Sequence, residues 1–300
     1  MFDQEAAALL RVLDEGFPPV ETMSPLAARQ AVQARQAAVT NLDDVASTDD
    51  LAVPGPAGPV RVRVYHPYAR DLAERETTIV FAHGGGFVLC SIESHDGFCR
   101  ALAKGAGATV VSVEYRLAPE HVAPAAVEDV YAATRWAAQR FPGRLLVAGD
   151  SAGGNIAIGV ALAAARRGGP ALHGQVLLYP VIDPGCDMPS HHSHGTGYFL
   201  TTAAMRWYWR HYLGDTGVVG DLVAPLRAGP LTGLPPAVIV VGQLDPLHSE
   251  VVAYARALAT AGVPVTLREY PDLFHGFATI GPFGPAASAR SILFGDIRAL

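Results

Sequence analysis

Gly149-Asp150-Ser151-Ala152-Gly153 sets a serine between glycines, directly after the apolar run Leu145-Leu146-Val147-Ala148 and before an alanine-rich stretch. This is a strand, a sharp turn and a helix, the setting in which a serine hydroxyl becomes a nucleophile. The turn strains the serine backbone, and small neighbours let the helix pack close to the strand. The hydroxyl then projects above the sheet, where the helix N-terminus favours developing negative charge. The chemistry would be acyl transfer through a covalent serine ester.

Such a nucleophile needs donors for an oxyanion. His83-Gly84-Gly85-Gly86-Phe87 follows a second apolar run, Ile79-Val80-Phe81. Consecutive glycines let backbone N–H groups converge and let a carbonyl approach closely. The loop is expected to supply one donor, and Ala152, just after the serine, another. Removing one such donor typically costs about 2.7–4 kcal/mol of transition-state stabilisation. His83 precedes the loop and is read as a structural hydrogen-bonding residue.

An acid and then a histidine should follow the serine in chain order. Asp245 comes after the run Val238-Ile239-Val240-Val241, and His275 after residues 265–270. Both would sit at the carboxyl edge of parallel strands, as Ser151 does. His275 would take the Ser151 proton while Asp245 fixes the imidazole tautomer. His191, His192 and His194 precede Asp245, the wrong order, and are read as a solvated loop rather than a metal site. His248 is expected on a helix just past Asp245. Asp272 lies in a loop after the last strand and is the weaker acid candidate.

The elements that must position these residues follow from patterning. Residues 1 to about 45 read as helical, broken at Pro18-Pro19, with Pro25 able to open a second helix. Pro54 to Pro59 is a turn cluster, and the alternating Val60 to Tyr65 a half-exposed strand. From Thr78, apolar runs that include Thr109–Val113 and Val176–Tyr179 alternate with helix formers at 125–140, 152–167 and 249–261. That alternation means an α/β fold with a mostly parallel sheet covered on both faces. Residues 182–215 break the rhythm and read as an excursion from the sheet.

With 50% hydrophobic and 17% charged residues among 300, the chain can build one large core. A net charge of −6 without a Lys/Arg block argues against a nucleic-acid surface. Cys90, Cys99 and Cys186 lack metal-ligand spacing and read as reduced thiols. The acidic start, Met1 to Glu5, has no basic region, and no apolar run reaches membrane-spanning length. A soluble cytoplasmic protein is expected.

Taken together, His83-Gly84-Gly85-Gly86, Gly149 to Gly154, Asp245-Pro246-Leu247 and His275-Gly276-Phe277 resemble the bacterial hormone-sensitive-lipase-like carboxylesterases of the α/β-hydrolase fold. Tyr115 to His121 and Leu178-Tyr179-Pro180 add to the match, which runs in order over residues 79–277. The resemblance implies an eight-stranded sheet and a helical cap built from 1–45 and 182–215, over a core in two parts, 46–181 and 216–300. It implies catalytic Ser151, Asp245 and His275, with Gly85, Gly86 and Ala152 as oxyanion donors. Cofactor-free, metal-free hydrolysis of short- to medium-chain acyl esters would follow. A homodimer through the edge strand or a helix at 284–300 is the family-based expectation for assembly.

A lactonase, amidase or acyltransferase could use the same residues. A non-catalytic receptor, such as the plant gibberellin receptors that resemble this family, would lack His275. Phe87, Trp207 and Phe277 are candidates for lining the substrate pocket, with core packing as the alternative, and Glu120 for fixing loop structure. Three departures stand out: Ser249 where the family often has an acid, Cys90 where glycine is common, and Glu114 in place of Asp. Ser249 removes one carboxylate from the support of the Asp245 loop. Cys90 is read as an inert core thiol, or else as a residue narrowing the pocket or conferring sensitivity to thiol reagents.

Overall fold

The computed structural model describes residues 3–72, 76–215, 217, 219–280 and 283–300; Met1 and Phe2, at the start of the expected cap segment, lie outside them. The apolar runs form β3 (Thr77–Ala82), β4 (Thr109–Glu114), β5 (Arg144–Asp150), β6 (Gly174–Leu178), β7 (Ala237–Gly242) and β8 (Val265–Tyr270), all parallel. Two antiparallel strands, β1 (Ser47–Gly55) and β2 (Gly58–His66), extend the sheet in the order β1-β2-β4-β3-β5-β6-β7-β8. The central strands β3, β6 and β7 are buried along their whole length, which explains their unbroken apolar character.

The proline cluster behaves differently from its reading as a turn. Only Pro56 and Ala57 turn; Pro54 lies opposite Pro59 inside a hairpin. β1 is the sheet edge, where a residue without an N–H leaves no ladder bond unmade.

Helices α1 (Gln4–Gly16) and α2 (Pro25–Gln33) precede the sheet, with Pro25 in the first turn of α2 as expected. Between strands run α3 (Asp96–Ala106), α4 (Ala125–Arg140) and α5 (Ala152–Arg167). The β3-α3-β4 and β4-α4-β5 crossovers step toward opposite edges, so right-handed connections put α3 and α4 on opposite faces. α5 packs beside α4, and its residues 152–164 are all buried, which its Gly and Ala content permits. After β6 come α6 (Pro189–Ser193) and α7 (Thr202–Leu213); α8 (His248–Thr260) and α9 (Gly284–Ala299) complete the chain. A short turn at Val20–Thr22 packs on α7, bringing the N-terminal segment against the 182–215 excursion. Among the described residues, no helix is long and apolar enough to cross a membrane.

Candidate active site

Ser151 sits between β5 and α5 with φ 53° and ψ −119°, a region that costs a residue with a Cβ some strain. Two backbone bonds hold it there: Ser151 N–H donates to the Leu178 carbonyl at 2.8 Å, and Val181 N–H donates to the Ser151 carbonyl at 3.1 Å. The flanking glycines have steric reasons. A Cβ on Gly149 would collide with the Gly153 carbonyl, and one on Gly153 with the Ala82 carbonyl at the end of β3.

The two residues expected to join Ser151 do so. His275 Nε2 lies 2.9 Å from Ser151 Oγ, and His275 Nδ1 lies 2.8 Å from Asp245 Oδ2. The ionised carboxylate can only accept, so Nδ1 carries the proton and Nε2 turns a lone pair to the serine O–H. Asp245 is fully buried and also accepts from Leu247 N–H at 2.8 Å. The acid and base loops are laced together: Gln243 N–H donates to Tyr270 O at 2.8 Å and Leu244 N–H to Leu273 O at 3.1 Å. Asp272 and His248 stand apart from this line; His248 opens α8 and pairs with Glu269 at 2.7 Å.

Gly85 and Gly86 border the same cavity as Ser151, with φ of 110° and 61°. Only glycine fits: a Cβ on Gly85 would strike the Leu89 carbonyl, and one on Gly86 the Tyr208 ring. Ala152 opens α5, so its N–H belongs to the first turn and has no intrahelical acceptor. His83 has the structural place expected of it. Its buried ring stacks on Tyr115 at 4.3 Å and donates from Nδ1 to the Gly84 carbonyl at 2.8 Å. Burial and then the neighbouring His95 push its pKa down to about 3, so the ring stays neutral.

Sequence reasoning missed a second pair beside the serine. Asp150 is buried, accepts from Gly84 N–H at 2.7 Å and faces His95 Nε2 at 3.2 Å. Burial would raise the Asp150 pKa, but the charge and hydrogen bond of His95, with the Gly84 N–H, hold it below the ordinary carboxylate value. His95 carries no motif; it lies in a turn ahead of α3, and nothing in its neighbours marks it.

These groups meet at the floor of a cavity of about 360 Å³. Its apolar walls come from Phe17 and Val20 near the N-terminus, Leu89 beyond the glycine loop, and Leu200, Met205 and Tyr208 on or next to α7. Among the described residues, no three His, Cys, Asp or Glu side chains gather as a metal site.

Comparison with known proteins bears on this geometry. A family model described as the alpha/beta hydrolase fold matches residues 79–279. Esterase LipI of Mycobacterium tuberculosis is 44% identical over 248 residues, covering 80% of this chain and 77% of that protein. The ethyl acetate hydrolase of Pseudomonas putida is 39% identical, covering 73% of this chain and 72% of its own length. A hyperthermophilic esterase from the archaeon Pyrobaculum calidifontis superposes with a TM-score of 0.89 at 35% identity, covering 99% of this chain and 98% of that one. The chain belongs to the hormone-sensitive-lipase-like carboxylesterases of the α/β-hydrolase fold.

Within this carboxylesterase, the three aromatic candidates for pocket lining point elsewhere. Phe87 is 1% exposed and stacks on Tyr212 with centroids 3.8 Å apart. Trp207 packs on Tyr208 and His211, and Phe277 between Tyr179 and Tyr270. The residues that do face the cavity, Thr201, Ala204, Met205 and Tyr208, fall on one helical stripe, which turns Trp207 and Trp209 into the core.

His191 corrects the reading of a solvated histidine loop. It is buried on α6, with Nε2 3.1 Å from Glu250 Oε2, while Glu250 Oε1 accepts from Ile182 N–H at 2.8 Å. His192 is exposed beside Asp187, and His194 rests on Ser193. Ser249 proves to be part of the support for the acid loop. Ser190 and Ser249 exchange backbone-to-hydroxyl bonds at 3.1 and 2.9 Å, and Ser190 Oγ donates to Pro246 O at 2.6 Å. Cys90 is half-buried at the cavity wall rather than in the core, and burial pushes its thiol up to about 12. Glu114 accepts from Ile92 N–H at 3.0 Å. Glu120 fixes structure, binding Arg29 at 2.6 and 2.8 Å while that guanidinium also reaches the Val88 and Ala118 carbonyls.

Proposed function

We propose that this enzyme hydrolyses short- to medium-chain acyl esters, with Ser151 as nucleophile, His275 as general base and acid, and Asp245 as the group that orients and stabilises the imidazolium. The observation that carries the reading is the unbroken line of hydrogen bonds from Ser151 Oγ through His275 to Asp245, at 2.9 and 2.8 Å.

His275 Nε2 removes the hydroxyl proton as Ser151 Oγ attacks the ester carbonyl. The oxyanion gathers against the N–H groups of Gly85, Gly86 and Ala152. His275 then returns the proton to the leaving alcohol oxygen, leaving an acyl-serine. Water repeats the sequence: it attacks the acyl carbon, gives its proton to His275, and Ser151 leaves as the hydroxyl. The 360 Å³ apolar cavity suits a modest acyl group, and the relative named for ethyl acetate supports a small one. Residues 1–45 and 182–215 act as the cap; both contribute cavity walls and they meet at Val20–Thr22 and α7.

Ser151→Ala is expected to abolish cleavage of p-nitrophenyl butyrate and labelling by a fluorophosphonate, with the circular dichroism spectrum unchanged. Full turnover in a folded Ser151→Ala protein would overturn the assignment.

A further inference from the structure

The catalytic cavity adjoins a larger groove of about 1380 Å³; Phe17, Val32, Cys90, Phe199, Thr279 and Ile280 border both. Its far side is α9. That helix buries Ala286, Ala289, Leu293 and Ile297, and Arg290 stands one turn from Ala286 and from Leu293, beside this core-facing stripe. A half-buried arginine on such a face normally meets an acid or a carbonyl.

The other cations of the groove have partners. Arg29 is held by Glu120 and two carbonyls, and Arg35 by the carbonyls of Gly16 and Ala31. Its acids are committed as well, Asp44 to Lys104 and Glu93 to Arg61. Arg290 has no ion pair or hydrogen bond among the described residues. Burial pulls its pKa down, and among the described residues the electrostatic neighbour that opposes this is the phenol of Tyr179, itself bonded to Thr279 Oγ1 at 3.0 Å. Thr279 lies on the boundary with the catalytic cavity, so Arg290 lines the groove within electrostatic range of a residue pair at that boundary.

We propose that Arg290 anchors a carboxylate carried by the substrate away from its scissile bond, so that the preferred esters bear a remote negative charge. The inference rests on the ester hydrolase reading and narrows its substrate class. A planar guanidinium offers paired N–H donors that match a carboxylate, and its half-buried position makes that contact stronger than one in open water. The anion can sit on either moiety, and two substrate series separate them.

Proton release in a pH-stat would be followed for monomethyl glutarate, adipate and suberate against methyl pentanoate, hexanoate and octanoate. A parallel series would pair the acetate ester of omega-hydroxyhexanoate with hexyl acetate. The expected result is a higher kcat/KM for the anionic member in one series. In Arg290→Gln that member should fall about tenfold, equivalent to about 1.4 kcal/mol, with neutral esters unchanged and Arg290→Lys intermediate. No anionic preference in either series, or equal loss on neutral and anionic esters, would overturn the inference while leaving the esterase reading intact. Failure to hydrolyse any member of either series, neutral or anionic, would overturn both.

Discussion

Gly84 donates its backbone N–H to Asp150 at 2.7 Å, so the residue just before the proposed nucleophile also holds the glycine loop expected to bind the oxyanion. One turn thereby fixes two parts of the site. His95 lies against the same carboxylate at 3.2 Å and keeps it ionised and oriented.

Asp150→Ala is therefore expected to lower kcat by roughly a hundredfold, the scale of losing one oxyanion donor, with little change in KM. The Gly84 N–H loses its acceptor and the loop its register, while the cavity walls stay in place. Asp150→Asn, which keeps an acceptor oxygen, should recover part of the rate. Steady-state kinetics on one neutral ester separates the parameters; a change confined to KM would refute this role.

The buried His191–Glu250 pair gives a second expectation. Removing one partner of such a pair typically costs about 3–5 kcal/mol because the other charge is left unpaired. Burial already raises the Glu250 pKa, against the opposing pull of His191. Without His191 it should rise further, so the folded state holds a proton that the unfolded chain has released. His191→Ala is thus expected to lose most stability at pH values above the ordinary carboxylate range, the loss shrinking as pH falls into that range. Urea unfolding of both proteins across that range would reveal it, and a pH-independent difference would argue against it.

The sequence exposes those parts of the fold and site that depend on local constraint. The apolar runs of β3 and β7 are dictated by burial on both faces, and Gly149, Gly85 and Gly86 by close backbone approach, so both leave marks in composition. β1 leaves almost none: Ser47 to Asp50 form a solvent-facing edge, and strand and loop look alike there. His95 and His191 were hidden for another reason. Each acts through a partner far along the chain, Asp150 or Glu250, and no spacing rule encodes such a contact. The aromatic cluster Trp207-Tyr208-Trp209 is ambiguous in sequence because its helical phase is set by the packing of α7 on the N-terminal turn.

That phase can be checked through specificity. Tyr208 stands over Gly86 and borders the cavity, whereas Trp207 does not. Tyr208→Ala is expected to raise kcat/KM for octanoate relative to acetate esters about tenfold, within the range that pocket contacts with extra methylenes supply. Trp207→Phe should leave that ratio unchanged and lower only the unfolding temperature. An equal shift in both variants would show that Tyr208 does not wall the acyl site.

Acid lability should trace in part to His83. Its pKa falls from 6.5 to about 3 in the folded protein because burial, and then His95, oppose its charge. Between those values the unfolded chain binds a proton that the folded one refuses, so stability drops as pH falls through the window. One such proton is worth up to about 1.4 kcal/mol per pH unit. Above pH 6.5 both states are neutral and the contribution is constant. His83→Asn keeps a donor for the Gly84 carbonyl but cannot titrate. Its unfolding free energy, measured in urea at successive pH values, should fall less steeply than that of the wild type between roughly pH 6 and 4. Parallel slopes would show that this buried ring is not the source of the acid sensitivity.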